Sequence, residues 1–168
     1  MKEWIKDIAI ALIIAIIVIQ FVKPTIVKES SMEPTLYQNN YIFLSKQAYT
    51  FGEPKRGDII VFHSKLVQEN GDEKLLIKRV IGLPGEELKI NNGVVYINGV
   101  ALKEDYIMEN YTSGDIDIKV PEGEIFVMGD NREVSVDSRY SEIGCVKIND
   151  IVGEAIFRIY PFNKIRTF

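Results

Sequence analysis

The feature that most constrains this chain is an apolar run close to its start. Residues 8–22 read IAIALIIAIIVIQFV, in which Gln20 is the only polar residue. At 1.5 Å per residue a helix over this run covers about 22 Å, and Trp4, Ile5 and a snorkelling Lys6 can extend it towards the roughly 30 Å of a bilayer core. The sequence therefore predicts one N-terminal transmembrane helix.

A secretory signal that is later removed begins in a similar way, with Lys2 and Lys6 ahead of an apolar run. The segment that follows, QFVKPTIVKES at 20–30, has no pair of small residues at cleavage-site spacing, which favours an uncleaved anchor. Lysines flank both ends of the run, so charge alone leaves the orientation open, and the short leading tail favours a cytoplasmic N-terminus. We expect residues 1–24 to be a cytoplasmic tail and anchor, and residues 25–168 to be one extracytoplasmic domain.

After Pro24 the chain reads as strands and turns, because short β-branched and aromatic runs alternate with glycine and proline. NNG at 91–93 and NG at 98–99 are typical of hairpin turns. The connections are too short for helical crossovers, so we predict a mainly β, antiparallel domain with polar surface loops at 64–74 and 103–119. The strongest strand candidates are residues 41–46, 57–65, 74–83, 86–90, 93–99, 124–130 and 155–162.

Composition excludes several classes of function. The net charge of −4 comes from acids and bases mixed along the chain, so no basic stripe indicates nucleic-acid binding. With one cysteine, Cys145, and one histidine, His63, neither an internal disulfide nor a metal site is expected. The oligomeric state is left open.

The strand candidate 74–83 places a cation among apolar residues. Lys78 shares one face of the strand with Leu76 and Val80, and Arg79 lies on the other face. Burial would lower the pKa of the lysine, and a neutral lysine can act as a general base. The alternative is that both cations reach solvent along an edge strand.

Hydroxyl groups that such a base could activate occur in SSMEPTL, residues 30–36. A triad of serine, histidine and aspartate would have to use His63, which falls on the face of a strand with Ile59 and Val61, where a packed or edge histidine is the simpler interpretation. A dyad of serine and lysine needs no histidine.

A third cluster, GDNREVSVDSR at 129–139, directly follows an apolar strand candidate. It can be a polar surface loop, because Gly-Asp-Asn is typical of turns. It can also serve a buried amine, which needs hydrogen-bond partners, and Ser135 could supply one.

Four segments, SSMEPTL, RGDIIVF, KRVIGLPGE and GDNREVSVDSR, follow the anchor in an order that resembles the type I signal peptidases. These are membrane-anchored serine proteases that remove signal peptides from exported proteins, and the compact length is similar to members from Gram-positive bacteria. The resemblance implies that Ser31 is the nucleophile and Lys78 its general base. It further implies that Ser135 orients the lysine amine and that ion pairs and hydrogen bonds hold the catalytic loop through Asp130, Arg132, Asp137 and Arg139.

The resemblance also implies an antiparallel β fold shared with the self-cleaving repressors, and no metal or cofactor. Its expected partners are the lipid bilayer of the cytoplasmic membrane and signal peptides, which bind as an added strand and are cut after small residues at positions −1 and −3. The positions that match the substrate pockets are all apolar, and ordinary core packing is their alternative role: Val27, Met32, Leu36, Val61, Leu76 and Ile77.

Glu29 departs from the family pattern, in which Ser or Gly often stands two residues before the nucleophile. A carboxylate cannot donate a hydrogen bond to an oxyanion, so a second donor must come from Ser30 or a backbone N–H, or be absent.

Two alternative functions are a Ser-Lys peptidase that cleaves itself or one dedicated partner, and a non-catalytic anchored β domain that binds extended peptides.

Overall fold

The computed structural model describes residues 2–50, 52–68 and 70–168. Helix α1 spans Lys2–Phe21, its window Trp4–Phe21 has a mean hydropathy of 2.2, and none of the described side chains in this window is buried. The run contains neither Gly nor Pro, and Pro24 disfavours helical geometry at Lys23, so the helix ends before it. The helix is long and apolar enough to cross a membrane, in agreement with the sequence prediction.

Twelve strands follow within the described residues, and every pairing between them is antiparallel. In chain order they are β1 Val22–Ile26, β2 Tyr41–Ser45, β3 Ile59–Val67, β4 Glu73–Gly82, β5 Glu87–Asn91, β6 Val94–Ile97, β7 Val100–Ala101, β8 Ile116–Lys119, β9 Glu124–Met128, β10 Val146–Lys147, β11 Ile151–Tyr160 and β12 Arg166–Thr167. Short 3₁₀ turns lie at Ile148–Asp150 and Phe162–Lys164.

The strands form two sheets. The large sheet has the order β1-β2-β11-β3-β4-β9-β10, with β12 beside β11, and the small sheet has the order β7-β6-β5-β8. The predicted mainly β, antiparallel fold behind one N-terminal helix is confirmed. The predicted division between residues 24 and 25 falls inside β1, and the placement of the two segments in different compartments stays a prediction.

All seven strand candidates form strands, and the predicted hairpin turn at 91–93 has Asn92 at φ 49° and Gly93 at φ 81°, as such turns require. The loop predicted at 103–119 is wrong at its end, because Ile116–Lys119 pairs with β5 as β8. The loop predicted at 64–74 is shorter, because β3 continues to Val67 and β4 starts at Glu73.

Alternation along β3 sends neighbouring side chains into different parts of the core. Ile59 and Val61 belong to a first apolar cluster, whereas Ile60 and Phe62 belong to a second. A third cluster lies under the small sheet and includes Leu88. Strands β3 and β4 therefore stand in the middle of the packed structure, and their side chains have little freedom.

Candidate active site

Ser31 and Lys78, which are 47 residues apart in sequence, meet in the folded chain. Lys78 Nζ lies 2.7 Å from Ser31 Oγ, and both residues are buried, with 5 % of Ser31 and 1 % of Lys78 exposed. Lys78 is the last residue of β4 before pairing with β9 begins at Arg79. The two groups are within the hydrogen-bond distance that proton transfer requires.

The segment around Ser31 is fixed by contacts on both sides. Met32 is fully buried in the first apolar cluster, and its carbonyl accepts the N–H of Leu36 at 2.8 Å. The carbonyl of Ser31 accepts the N–H of Asn131 at 3.1 Å. These contacts fix the backbone at Ser31, from which the hydroxyl reaches the Lys78 amine.

Burial changes the charge state of Lys78. Loss of hydration lowers the pKa of its amine to about 8, while Asp137 and Glu29 raise this pKa and Lys74 and Arg139 lower it further. The alternative, in which the lysine reaches solvent along an edge strand, is wrong because almost none of it is exposed. The amine is therefore neutral far more often near physiological pH than the amine of a solvated lysine is.

Two buried ion pairs hold the loop at 129–139. Asp130 accepts hydrogen bonds from Arg79 Nε at 2.8 Å and Arg79 Nη2 at 2.6 Å. Asp137 accepts one from Arg139 Nε at 2.8 Å and one from the N–H of Gly129 at 3.0 Å. Both aspartates are fully buried, so this loop is a packed part of the site and not a polar surface loop.

Ser135 lies beside the Ser31 segment but does not bond to the lysine among the described residues. Its Oγ accepts the N–H of Gly129 at 3.1 Å, and a Cβ on Gly129 would stand 2.3 Å both from Ser135 Oγ and from the Ser31 carbonyl oxygen. Only glycine therefore fits between the two segments. The orientation of the Lys78 amine by Ser135 stays a prediction.

A groove of about 580 Å³ reaches the segment just before Ser31. It is bordered by consecutive residues, 23–29 on one side and 74–77 on the other. Neighbouring residues of a strand point to opposite faces, so unbroken runs mean that backbone edges line the groove. β1 ends the sheet, and β9 pairs with β4 only from Arg79 onward, so both edges are open to an extended peptide.

Four of the six predicted pocket positions line this groove: Val27, Val61, Leu76 and Ile77. The other two, Met32 and Leu36, are fully buried in the first apolar cluster. A substrate could contact Met32 or Leu36 only through a side chain that reaches past the groove walls.

Comparison with known proteins decides the family. The family model described as "Signal peptidase, peptidase S26" matches residues 1–160 of the 168-residue chain, a range that includes the apolar helix and the Ser31–Lys78 pair. The chain belongs to the signal peptidase family. The predicted family and the predicted enzyme class, a serine hydrolase, are therefore confirmed.

Individual signal peptidases match along almost the whole chain. Signal peptidase I of Bacillus licheniformis is 39 % identical over 98 % of this chain and 91 % of its own length. Probable signal peptidase I-1 of Synechocystis is 41 % identical over 97 % of this chain and 84 % of its own length. A signal peptidase I from Enterococcus faecalis, known from a crystal structure, is 40 % identical in sequence to this chain. The structural match covers 61 % of this chain and 97 % of the Enterococcus faecalis chain, with a TM-score of 0.52.

Sequence reasoning missed a further part of the site in this signal peptidase. Arg132, which is 1 % exposed, donates to both carboxylate oxygens of Glu104, at 3.0 and 2.5 Å, and also bonds to Thr112. The Tyr106 hydroxyl donates to Glu104 at 2.8 Å, and its ring lies 4.1 Å from the Arg79 guanidinium carbon. No local pattern marks Glu104, although a buried arginine requires an acidic partner somewhere in the chain.

Glu29 turns towards β4 in this signal peptidase. Its Oε1 lies 2.5 Å from Lys74 Nζ, so the carboxylate is paired with a cation. Among the described residues the backbone N–H of Ser31 has no acceptor, which leaves it available to an oxyanion. Whether a second donor comes from Ser30, comes from another backbone N–H or is absent stays a prediction with these three alternatives.

His63 takes no part in the site. Its side chain is 52 % exposed, and its Nδ1 lies 3.1 Å from Glu73 Oε2, whereas Ser31 Oγ is buried against Lys78. A triad that used this histidine is therefore wrong.

Proposed function

We propose that this chain is a membrane-bound serine endopeptidase that removes N-terminal signal peptides from exported preproteins, with Ser31 as nucleophile and Lys78 as general base. The observation that carries the assignment is the 2.7 Å contact between the Ser31 hydroxyl and a buried lysine amine. Burial lowers the pKa of Lys78 to about 8, into the range in which a base can work near neutral pH.

In the proposed reaction the neutral amine of Lys78 accepts the proton of Ser31 as Oγ attacks the scissile carbonyl. The tetrahedral oxyanion receives a hydrogen bond from the N–H of Ser31. Protonated Lys78 then gives its proton to the leaving amine, which leaves an ester between Ser31 and the signal peptide. A water then attacks this ester as Lys78 takes its proton, and Lys78 returns that proton to Ser31 Oγ as the signal peptide leaves with a free carboxylate.

The groove suits the expected substrate. An extended peptide between the open edges of β1 and β4 would gain backbone hydrogen bonds from both walls, as peptides do in β-augmentation. The apolar lining from Val27, Val61 and Ile77 fits small aliphatic side chains, which supports cleavage after small residues at positions −1 and −3.

Helix α1 supports a location in the cytoplasmic membrane. We propose that it crosses the bilayer once, with residues 25–168 on the extracytoplasmic side. An anchored enzyme and an anchored preprotein share one membrane, which raises their effective concentration.

The test is cleavage of a preprotein by the purified full-length chain in detergent. Ser31→Ala and Lys78→Ala should each lower the cleavage rate by at least about 10³-fold, because each removes half of a unit that acts together. Ser141→Ala and Lys147→Ala, which change exposed residues of the same types, are the matched controls and should cut at the wild-type rate. If either site variant cuts as fast as these controls, the dyad is wrong.

A further inference from the structure

An ion pair joins the two segments that carry the proposed catalytic groups. Glu29 stands two residues before Ser31, and Lys74 stands four residues before Lys78 on β4. Their charged atoms are 2.5 Å apart, and the side chains are 47 % and 38 % exposed. The pair therefore lies at the surface and links the segment before Ser31 to the strand that carries Lys78.

The same two residues line the groove, one on each wall. Glu29 ends the run 23–29, and Lys74 begins the run 74–77. β1 and β4 are separated by three strands in the order of the sheet, so the sheet curls to bring their edges to one groove. The ion pair consequently crosses the gap between the two edges.

We propose that the Glu29–Lys74 pair is a latch over the substrate groove, which a peptide must open to reach Ser31. A strand that adds to either edge occupies the gap that the pair now bridges, so the two charges must separate before the strand can lie against both walls. The pair thereby opposes binding of every peptide and sets how tightly a leader segment is held. This proposal rests on the proposed function only in taking a peptide as the occupant.

The latch depends on the carboxylate at position 29, because a neutral side chain there could not form an ion pair with Lys74. A half-exposed ion pair contributes little, so opening it should weaken peptide binding by about two- to fivefold.

Peptide binding to the full-length chain in detergent tests the latch, with Ser31→Ala present in every protein so that nothing is cut. The probe is an uncharged ten-residue peptide with alanine at positions −1 and −3 that carries a neutral BODIPY dye, and its Kd is read by fluorescence anisotropy. Added Lys74→Gln or Glu29→Gln should lower the Kd about two- to fivefold. The exchange of both charges, Glu29→Lys with Lys74→Glu, should return it to the starting value.

Lys89→Gln, which breaks an exposed ion pair with Asp117 away from the groove, is the matched control and should leave the Kd unchanged. A Kd that stays constant or rises in Lys74→Gln overturns the latch, and so does a charge exchange that behaves like the single variants. Because binding is measured without cleavage, these outcomes judge the latch alone. Loss of the proposed function would instead appear as cleavage that does not depend on Ser31 or Lys78.

Discussion

At the residue scale, the decisive property is the charge of Lys78. Burial on β4 lowers its pKa to about 8, whereas a solvated lysine has a pKa near 10.5. Below the lowered value the amine is mostly protonated and cannot accept the Ser31 proton. Four charged groups modify this value, and two of them, Glu29 and Lys74, belong to the groove walls.

Cleavage should consequently depend on pH in a defined direction. We expect kcat/KM to rise with pH and to reach half its plateau near pH 8, because only neutral Lys78 is a base. Glu29→Gln removes a negative charge that raises the pKa, so the midpoint should move to lower pH. Lys74→Gln removes a positive charge that lowers the pKa, so the midpoint should move to higher pH.

Measurement of kcat/KM against pH for the wild type, Glu29→Gln and Lys74→Gln tests these expected midpoints. Asp137 and Arg139 also face the amine and are unchanged in every protein compared, so they cannot produce a difference between profiles. A profile that is flat from about pH 6 to 9, or identical midpoints in the three proteins, would contradict a lysine base.

The residues that could be predicted from the sequence are those that short motifs carry. Ser31 and Lys78 were expected together, and the structure brings them into contact. The partner of Asp130 was not predictable, because Arg79 lies 51 residues away and meets it only when β4 pairs with β9. Motifs mark reactive residues, whereas long-range ion pairs depend on tertiary topology.

At the element scale, the segment between β7 and β8 supports the site from outside the large sheet. Glu104 pairs with Arg132 of the loop at 129–139, and Tyr106 stacks on Arg79 next to Lys78. A connection of the small sheet therefore contacts both elements that flank the catalytic groups. These contacts hold Arg132 and Arg79 in place from the side of the small sheet.

Removal of the Glu104 charge should destabilise the fold. Glu104→Gln leaves the guanidinium of Arg132 buried without its counter-charge, and breaking such a pair costs about 3 kcal/mol or more. We expect Tm to fall by about 6–12 °C, measured by thermal unfolding of the full-length chain in detergent. Asp105→Asn is the matched control, because the Asp105–Lys103 pair is 74 % and 84 % exposed and contributes little. Equal Tm values for Glu104→Gln and Asp105→Asn would contradict a stabilising role of the Glu104–Arg132 pair.

Two of the five strands that sequence reasoning missed share a physical feature. β1 contains Lys23 and Pro24 and is largely exposed, and β8, with the sequence IDIK, alternates apolar and charged residues over only four positions. Neither has the apolar run that marks a buried strand, and both are strands because β2 and β5 are there to pair with them. The central strands β3 and β4 were predictable because their own side chains build the core.

At the scale of the whole molecule, the anchor and the groove are continuous. Helix α1 ends at Phe21, β1 begins at Val22, and the groove wall begins at Lys23. The proposed bilayer segment thus leads directly into one edge of the substrate groove. A signal peptide that leaves the same membrane would reach Ser31 without a long excursion from the surface.

A helix that spans the bilayer should keep the full-length chain bound to lipid vesicles. We expect it to float with phosphatidylglycerol-containing liposomes after an alkaline carbonate wash, because its apolar helix spans the bilayer. Leu12→Arg with Ile13→Arg, near the middle of the helix, should release it into the wash, since each arginine costs about 2.5–3.5 kcal/mol there. Lys6→Gln, at the start of the helix, is the control and should float. Flotation of the double arginine variant would contradict a spanning helix.

The most direct measurement is mass spectrometry of the enzyme quenched in acid during cleavage of a peptide substrate. We predict an ester of the leader segment on Ser31, and no such adduct when Lys78 is changed to alanine. The adjacent Ser30 is an internal control in the same proteolytic fragment. An adduct on Ser30 or on any other residue, or an adduct that forms equally fast without Lys78, would contradict a Ser31–Lys78 dyad.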